Sequence, residues 1–250
     1  MKFTTLFFFG LLAAAVVAEA QETTSPEPAP QAEPAVQSVE VSGMKNPEFK
    51  PYRQMLKGID AFDQFRELAP AAPLKFQLVS DSTPIAFDKV TLRIAGENTA
   101  VPLAVDTDGT FVLPRLTAAA DDNAEIISNL RKGLLRWRSD IHSPNVPANA
   151  RRLGDLRLEC EIGWAINRQD MSFVARSSLS MMGGLCHAKM VGLRYQAPRP
   201  LAGVSLVSGE RKLALQIDPK SKRVFWPPLA DKSWDNESLV VYEYEAASSE

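Results

Sequence analysis

The sequence predicts a mainly β protein with minor α content, organised as two small β-sandwich-like modules with an N-terminal amphipathic helix and one central helix. Three observations favour this class. Apolar and polar residues alternate over short stretches between residues 74 and 113, which is the period of a half-buried strand. Apolar residues recur at helical spacing from Tyr52 to Leu68, on one face of a helix. A weak repeat relates the two halves of the chain.

Composition excludes several classes of protein. The 250 residues are 45% hydrophobic and 23% charged, which is typical of a globular fold rather than a disordered or collagen-like chain. The net charge is −2, from 28 basic and 30 acidic residues, so we expect no nucleic-acid partner. The chain has two Cys and two His, so a metal site built from these residue types alone would need all four of them. We expect neither a metal nor a cofactor.

The N-terminus has the pattern of a signal peptide over residues 1–20. Lys2 precedes an apolar run from Leu6 to Val17, and small residues occupy the two positions that signal peptidase recognises before Gln21. The run is shorter than the roughly twenty apolar residues that cross a bilayer, and no later stretch is long enough. We therefore expect cleavage between Ala20 and Gln21, no remaining membrane span, and export, most simply to the bacterial periplasm.

A Pro-rich linker and an amphipathic helix are predicted next. Residues 21–37 combine four prolines with polar residues and alanine, a composition that does not support a packed core. In residues 38–72 we expect a short strand at Val39–Val41 and then the helix, ended by Pro70. Its apolar stripe must pack on a sheet of the same chain or on a partner protein. The stripe is Tyr52, Met55, Leu56, Ile59, Phe62, Phe65 and Leu68.

The first β-sandwich-like module is predicted over residues 73–145. Asp108-Gly109 lies between alternating stretches and favours a tight hairpin turn, because glycine adopts positive φ readily. The alternating apolar residues on which the strands depend are Leu74, Phe76 and Leu78, then Val90, Leu92 and Ile94, then Leu103 and Val105, and later Leu135, Trp137 and Ile141.

The segment from Asp106 to Pro114 resembles the turn of transthyretin-like and carboxypeptidase-regulatory β-sandwich modules, which often carry Asp-x-Asp-Gly-x-Phe between two strands. The resemblance extends over Leu74 to Leu116. It implies a sandwich fold and a scaffold or accessory role, and it brings no catalytic residue to this chain. The second half departs from the pattern, because Asp218 to Phe225 contains no Asp-Gly.

A strand–helix connector is predicted over residues 146–187 and a second β-sandwich-like module over residues 188–246. Alternation from Leu156 to Trp164 predicts a strand, and pairing with the strand before it would set arginines opposite glutamates. Helical spacing follows from Met171 to Met182, where we expect a cap from Asn167 and an end at the two following glycines. The residues with this spacing are Met171, Val174, Ala175, Ser178, Leu179 and Met182.

The repeat indicates a duplication with an offset of 112 to 114 residues. Common strand residues could also match by chance. The matching segments are Val90-Thr91-Leu92 with Val204-Ser205-Leu206, Leu103 to Asp106 with Leu215 to Asp218, Phe111 and Pro114 with Phe225 and Pro228, and Asn123 with Asn236.

The two cysteines predict one structural disulfide between Cys160 and Cys186, because an exported chain folds in an oxidising compartment. The alternative is that Cys186 is a thiolate nucleophile beside His187. Adjacent side chains on a strand point to opposite faces, and a catalytic thiol would have to stay reduced.

Positive charge is concentrated between Arg131 and Arg157, where seven basic residues accompany two acidic ones, a local excess of +5. This segment is our candidate for contact with a polyanion such as a glycan or a lipid surface. The alternative is a solvated face balanced by Glu159 and Glu161. The candidate contact residues are Arg136, Arg138, Arg151 and Arg152.

No catalytic motif stands out. The chain lacks a Gly-x-Ser-x-Gly elbow, a Walker loop, a dinucleotide fingerprint and a His-Glu-x-x-His run, so we assign no catalytic, cofactor-binding or metal-binding residue. We expect an exported, non-catalytic envelope protein that acts as a scaffold or binding module for an envelope protein or an anionic surface. The alternatives are a hydrolase acting on envelope glycan or peptide through unassigned carboxylates, and a periplasmic assembly chaperone with its Tyr52–Leu68 stripe exposed.

Overall fold

Mainly β architecture is confirmed. The computed structural model describes residues 45–80 and 84–246, and these contain 13 strands in four sheets and four α-helices. The expected signal peptide, the Pro-rich linker and the strand at Val39–Val41 lie outside the described residues.

The first lobe, residues 45–141, holds two antiparallel sheets with strand orders β1-β6-β3-β4 and β5-β2-β7. Its elements are β1 (Pro47–Pro51), α1 (Tyr52–Gln64), β2 (Leu74–Val79), β3 (Leu92–Ala95), β4 (Ala100–Leu103), β5 (Thr110–Phe111), α2 (Thr117–Asp121), β6 (Glu125–Arg131) and β7 (Arg136–Ile141).

The second lobe, residues 150–246, has sheets with strand orders β8-β13-β10-β11 and β9-β12. Its elements are β8 (Ala150–Arg152), α3 (Leu153–Asn167), α4 (Phe173–Met181), β9 (Tyr195–Gln196), β10 (Leu201–Ser208), β11 (Arg211–Ala214), β12 (Val224–Phe225) and β13 (Leu239–Tyr244). Both lobes belong to one compact unit.

The sheets cross the boundaries expected from the sequence. Strand β1 pairs with β6, so residues 38–72 do not stand apart from residues 73–145. Strand β8 pairs with β13, and the expected connector at 146–187 therefore contributes a strand and a helix to the second lobe. In each lobe an edge strand leads directly into a long helix.

The predicted amphipathic helix is α1. Its apolar stripe is buried, and the hydroxyl of Tyr52 donates to the carbonyl of Pro114 and accepts from the amide of Leu116, each at 2.7 Å. The helix ends at Gln64, and the last part of the stripe falls in a short 3-10 turn at Arg66–Leu68. The helix packs on α3, where Gly58 allows the side chains of Ile162 and Ile166 to approach its backbone.

The predicted strand from Leu156 to Trp164 is wrong, because these residues lie in α3. Residues two apart on a helix point about 200° apart, so two stripes on opposite faces can imitate alternation. One stripe packs in the core of the second lobe and the other in the core of the first. The second-lobe stripe is Leu153, Leu156, Cys160 and Trp164, and the first-lobe stripe is Leu158, Ile162 and Ile166.

The second predicted helix is α4, but its details differ from the expectation. Ser172 caps it, accepting from the amide of Ala175 at 3.3 Å, in place of Asn167. Gly183 and Gly184 end it with φ values of 86° and 102°, as predicted. No residue of α4 is buried, so its apolar residues do not form an inner face.

The Asp-Gly turn forms, but the predicted hairpin is wrong. The amide of Gly109 donates to the carbonyl of Asp106 at 2.9 Å, and that of Asp106 to the carbonyl of Thr110 at 2.8 Å. The flanking strands then separate, since β4 pairs with β3 and β5 pairs with β2. The turn therefore moves the chain from one sheet of the lobe to the other.

Candidate functional site

A cleft of about 540 Å³ lies between the two lobes. The first lobe contributes β2, β7 and the turn at Asp108, and the second contributes β8 and the ends of β9 and β13. The loop from His142 to Asn149, which joins the lobes, forms part of its wall. The polar lining residues include Gln77, Asp108, Arg138, Asp140, His142, Arg151, Gln196, Arg223, Tyr242 and Tyr244.

A strand pair from each lobe meets at this cleft, β2 with β5 and β9 with β12. Gln77 on β2 pairs with Thr110 on β5, and Gln196 on β9 pairs with Val224 on β12. Both glutamines line the cleft. Gln77 follows Phe76 and Gln196 follows Tyr195. The residues after each glutamine, 78–80 and 197–198, also line the cleft, so the two walls are built alike.

Arg138 presents a positive charge on the first-lobe wall. It is exposed on β7, and its Nε and Nη2 donate to Oε1 of Gln77 at 3.0 and 2.7 Å. Gln77 in turn donates to the carbonyl of Asp108 at 2.9 Å. The guanidinium is thus oriented by a neutral side chain, and its charge is not cancelled by that partner.

Arg223 presents the charge on the second-lobe wall. Its Nε donates to the carbonyl of Ala197 at 3.1 Å, and its Nη2 donates to the carbonyl of Pro198 at 2.8 Å. Both acceptors are neutral backbone groups of the cleft wall. Two arginines with neutral anchors therefore enter one cleft from different lobes.

Arg151 is held more deeply and is paired. Its Nη2 donates to the carbonyl of Ile141 at 2.5 Å and to Oε1 of Glu159 at 2.7 Å. Burial is the largest single influence and acts to lower the pKa of this guanidinium, but the charge and hydrogen bond of Glu159, together with Tyr242 and Asp155, outweigh burial and raise the pKa. Nε of Arg151 is buried without a hydrogen-bond partner among the described residues.

The carboxylates of the cleft are engaged and ionised. Oδ1 of Asp140 lies 3.0 Å from Nε2 of His142. Burial acts to raise the pKa of Asp140, but His142 and the nearby arginines outweigh it and hold the pKa below its ordinary value. At Asp108, hydrogen bonds from Thr110 likewise outweigh the effect of burial and lower the pKa.

Two tyrosines lie at the second-lobe end of the cleft. Tyr242 is buried, and burial raises its pKa. Its ring lies 5.8 Å from that of Tyr244, which in turn carries the guanidinium of Arg199 at 4.0 Å. The cleft thus has charged donors from the arginines and the half-buried ring of Tyr244 at one end.

The four predicted polyanion contacts are divided by the structure. Arg138 and Arg151 line the cleft, whereas Arg136 is exposed on β7 outside its lining. Arg152 donates to Ser143 of the joining loop at 2.7 Å and pairs with Glu237 of the second lobe. Arg152 is buried and is not part of the cleft lining.

Sequence reasoning missed Arg223, Gln77 and the tyrosines, which lie far from the basic segment along the chain. The repeat expected from the sequence would have offered one signal, because it aligns Arg223 before Val224-Phe225 with Gly109 before Thr110-Phe111. Both sites line or adjoin the cleft.

The disulfide between Cys160 and Cys186 is confirmed, with a Cα–Cα distance of 5.8 Å. It joins α3 to a 3-10 turn at Leu185–His187, and Cys186 is therefore not a free thiol. Nε2 of His187 lies 3.1 Å from Oε1 of Glu161. The expected arginine–glutamate pairs between strands are wrong, because Glu159 and Glu161 lie on a helix and bind Arg151 and His187 instead.

No family model, no curated protein and no solved structure matches this chain. Within residues 45–80 and 84–246, His, Cys, Asp and Glu side chains nowhere gather in a group of three that could hold a metal ion. None of the helices in this part of the chain combines the length and apolar content needed to cross a bilayer.

Proposed function

We propose that the protein is an exported, non-catalytic binding module of the bacterial envelope, and that its ligand is a carboxylate-bearing glycan held in the cleft between the lobes. The observation that carries the proposal is the presence of Arg138 and Arg223 in one cleft, each anchored by neutral acceptors. A guanidinium binds a carboxylate through two parallel hydrogen bonds, which is the strongest and most directional pairing for that group.

The remaining lining residues suit a sugar chain. Gln196 offers an amide group on the second-lobe wall, and the half-buried Tyr244 offers the exposed part of its ring, beside which a sugar can pack. The cleft is open rather than enclosed, so a polymer can run through it. A ligand that spans both lobes would contact one arginine from each.

The state of the acidic residues favours binding over hydrolysis. A glycoside hydrolase needs one carboxylic acid that stays protonated near neutral pH, together with a second carboxylate. In the cleft, the pKa values of Asp108 and Asp140 are both lowered. Neither group therefore holds a proton for a leaving group.

Export is part of the proposal and rests on the first twenty residues. The apolar run ending in Ala18-Glu19-Ala20 is typical of a cleaved signal peptide. The disulfide supports it, because such bonds persist in oxidising compartments such as the periplasm.

We also propose that the lobes arose by duplication. Strand order β1-β6-β3-β4 in one lobe is matched by β8-β13-β10-β11 in the other, and the pair β2-β5 by β9-β12. In both lobes the first strand leads into the long helix. This agreement supports the sequence repeat and makes the cleft a junction of two related surfaces. The likeness of Asp106–Pro114 to transthyretin-like modules stays a prediction.

Two alternatives have different support. An assembly chaperone required the Tyr52–Leu68 stripe to be exposed, and the described stripe is buried against the sheets and α3. A hydrolase would be served best by Glu161, whose pKa is raised by burial although His187 opposes the rise. Glu161 lies in a separate cavity of about 340 Å³. Turnover of a cell-wall substrate that is lost in Glu161→Gln would favour the enzyme.

Binding of a defined glycan tests the proposal. We would titrate the mature protein calorimetrically with an oligogalacturonate, in which every sugar carries a carboxylate, and with neutral dextran. We expect binding of the first, weakened by salt, and none of the second. Each lost charge-assisted pair is worth about 1.5–3 kcal/mol, so Arg138→Gln and Arg223→Gln should each weaken binding roughly 10- to 100-fold.

The matched control is Arg131→Gln, an exposed arginine of the first lobe outside the cleft. It should bind as the wild type does. Equal binding of dextran, no binding of oligogalacturonate, or an unchanged affinity in both cleft variants with wild-type circular dichroism would each contradict the proposal.

A further inference from the structure

Exposed apolar side chains are concentrated in one segment of the second lobe. Nine large hydrophobic residues are exposed in the described part of the chain, and six of them fall between residues 173 and 191. The side chains of Phe173 and Met181 are 72% and 87% exposed. The six residues are Phe173, Val174, Met181, Met182, Met190 and Val191.

Helix α4 turns its apolar side to solvent. Phe173, Val174 and Met181 lie toward one side of the helix and are all exposed, whereas Leu179 on another side is half-buried. A helix that packs on its own protein buries its apolar stripe. This arrangement is reversed in α4, where these apolar side chains are left exposed among the described residues.

A cationic hollow lies beside this stripe. Its volume is about 520 Å³, and its lining includes Lys57, Arg168 and Arg176 and no acidic residue. Arg176 also lies over the ring of Phe173 at 5.9 Å. The preceding carboxylate, Asp170, is paired with Lys50 at 3.0 Å. From there to Gly209 the sequence contains no Asp or Glu.

We propose that α4 and its cationic hollow dock on the surface of an anionic lipid bilayer. Apolar side chains enter the interface between head groups and acyl chains, and adjacent basic residues bind the anionic head groups; this is the pattern of peripheral membrane-binding segments. Phe173, Val174 and Met181 supply the apolar part. Lys57, Arg168 and Arg176 supply the charge.

Charge argues against a second copy of the chain as the occupant. In a symmetric dimer the same patch meets itself, so the basic residues around α4 would face each other without counter-charges. Like charges brought together at an interface oppose association. An anionic bilayer, in contrast, attracts every one of them.

The disulfide presents the segment in a fixed place. Helix α4 lies within the loop that Cys160 and Cys186 close, and Gly184 at its end packs beside the indole of Trp164 on α3. Because both ends of the segment are tied to α3, α4 can engage a surface without loss of the core. This docking does not depend on the ligand of the cleft.

Vesicle sedimentation tests the proposal with the mature protein. We expect binding to phosphatidylglycerol-containing vesicles and little to pure phosphatidylcholine vesicles. Each basic residue near an anionic surface contributes about fivefold in affinity, so Lys57→Gln, Arg168→Gln and Arg176→Gln together should weaken binding by roughly 100-fold. The pair Phe173→Ser and Met181→Ser should weaken it by roughly 100-fold, since about tenfold or more is lost for each large side chain kept out of the interface.

Val112→Ser and Leu213→Ser, which alter exposed apolar residues elsewhere, form the matched control and should leave vesicle binding unchanged. Circular dichroism and the disulfide should be retained in every variant, because α4 has no buried residue. The proposal is overturned if wild-type protein ignores anionic vesicles, or if the α4 variants bind as well as the control. Dissociation of a dimer by the α4 pair would assign the stripe to a second copy and overturn it too.

Discussion

Leu156 and Leu158 are both fully buried on α3, yet they lie in different hydrophobic cores. Leu156 packs among residues of the second lobe and Leu158 among residues of the first. The helix is therefore a wall shared by the two lobes. It also places Glu159, the residue after Leu158, where its carboxylate binds Arg151, which lines the cleft.

The first prediction is that Leu158→Ala destabilises the whole protein. Removing a fully buried leucine leaves a cavity and costs about 2–5 kcal/mol. Because α3 serves both cores, urea unfolding should remain a single transition in circular dichroism and in tryptophan fluorescence. Leu213→Ala, at an exposed position of β11, should change the free energy of unfolding by less than about 0.5 kcal/mol. Two separate transitions in the wild type would contradict a shared core.

The second prediction concerns two glycines of α3. A Cβ at Gly154 would collide with the carbonyl oxygen of Leu68 and would lie 2.9 Å from Cβ of Asn236. Gly154→Ala should therefore lower the free energy of unfolding by about 1–3 kcal/mol or more. At Gly163 no atom lies within 4 Å of such a Cβ. Gly163→Ala should therefore raise the free energy of unfolding by about 0.5–1 kcal/mol. Equal effects in urea denaturation would refute the packing described at Gly154.

The third prediction concerns the disulfide. Cys160 and Cys186 are separated by 26 residues, and closing such a loop removes about 3–4 kcal/mol of unfolded-state freedom in the chain-entropy model. Replacing both cysteines by alanine should lower the free energy of unfolding by that amount. Added reductant should destabilise the wild type similarly and leave the double variant unchanged. Mass analysis without reductant should find the crosslinked peptide, and two free thiols would count against it.

The fourth prediction concerns pH. The folded pKa of Asp140 is below its ordinary value of 3.8, because His142 and nearby arginines outweigh burial. A carboxylate whose pKa is lower in the folded than in the unfolded state stabilises the protein at pH values above the unfolded-state pKa. That stabilisation is lost as the pH falls through the folded-state pKa. Asp140→Asn should therefore be less stable than wild type at neutral pH, and the difference should shrink below pH 3.8. Asp88→Asn, at an exposed position, is the control. A stability difference between Asp140→Asn and wild type that stays constant with pH would contradict the prediction.

Local patterns predicted the elements that each face one core. Strand β2 alternates because one side is buried, and α1 has a single stripe because it packs on one side, so periodicity identified both. The disulfide followed from having only two cysteines. Helix α3 could not be predicted in the same way, since its two faces are buried in two lobes and its stripes interleave as Leu156, Leu158, Cys160 and Ile162.

Only some of the residues that line the cleft could be predicted from the sequence. Arg138 and Arg151 were singled out because basic residues cluster along that segment, and both line the cleft. Arg223 belongs to a separate short basic run with Lys220 and Lys222, and only the packing of the lobes brings it into the cleft of Arg138. Charge density along the chain does not show which distant residues come close in the fold. It also does not distinguish the exposed arginines of the basic segment from Arg152, which binds Ser143.

Hydrogen–deuterium exchange with and without bound oligogalacturonate is the most direct measurement of where the ligand lies. Saturating ligand should slow exchange at residues 77–79 and at residues 196–197, the paired walls of the cleft, and the Arg138→Gln, Arg223→Gln double variant should lose both effects. Slowed exchange confined to residues outside the cleft, or no change at saturation, would contradict a ligand held between the lobes.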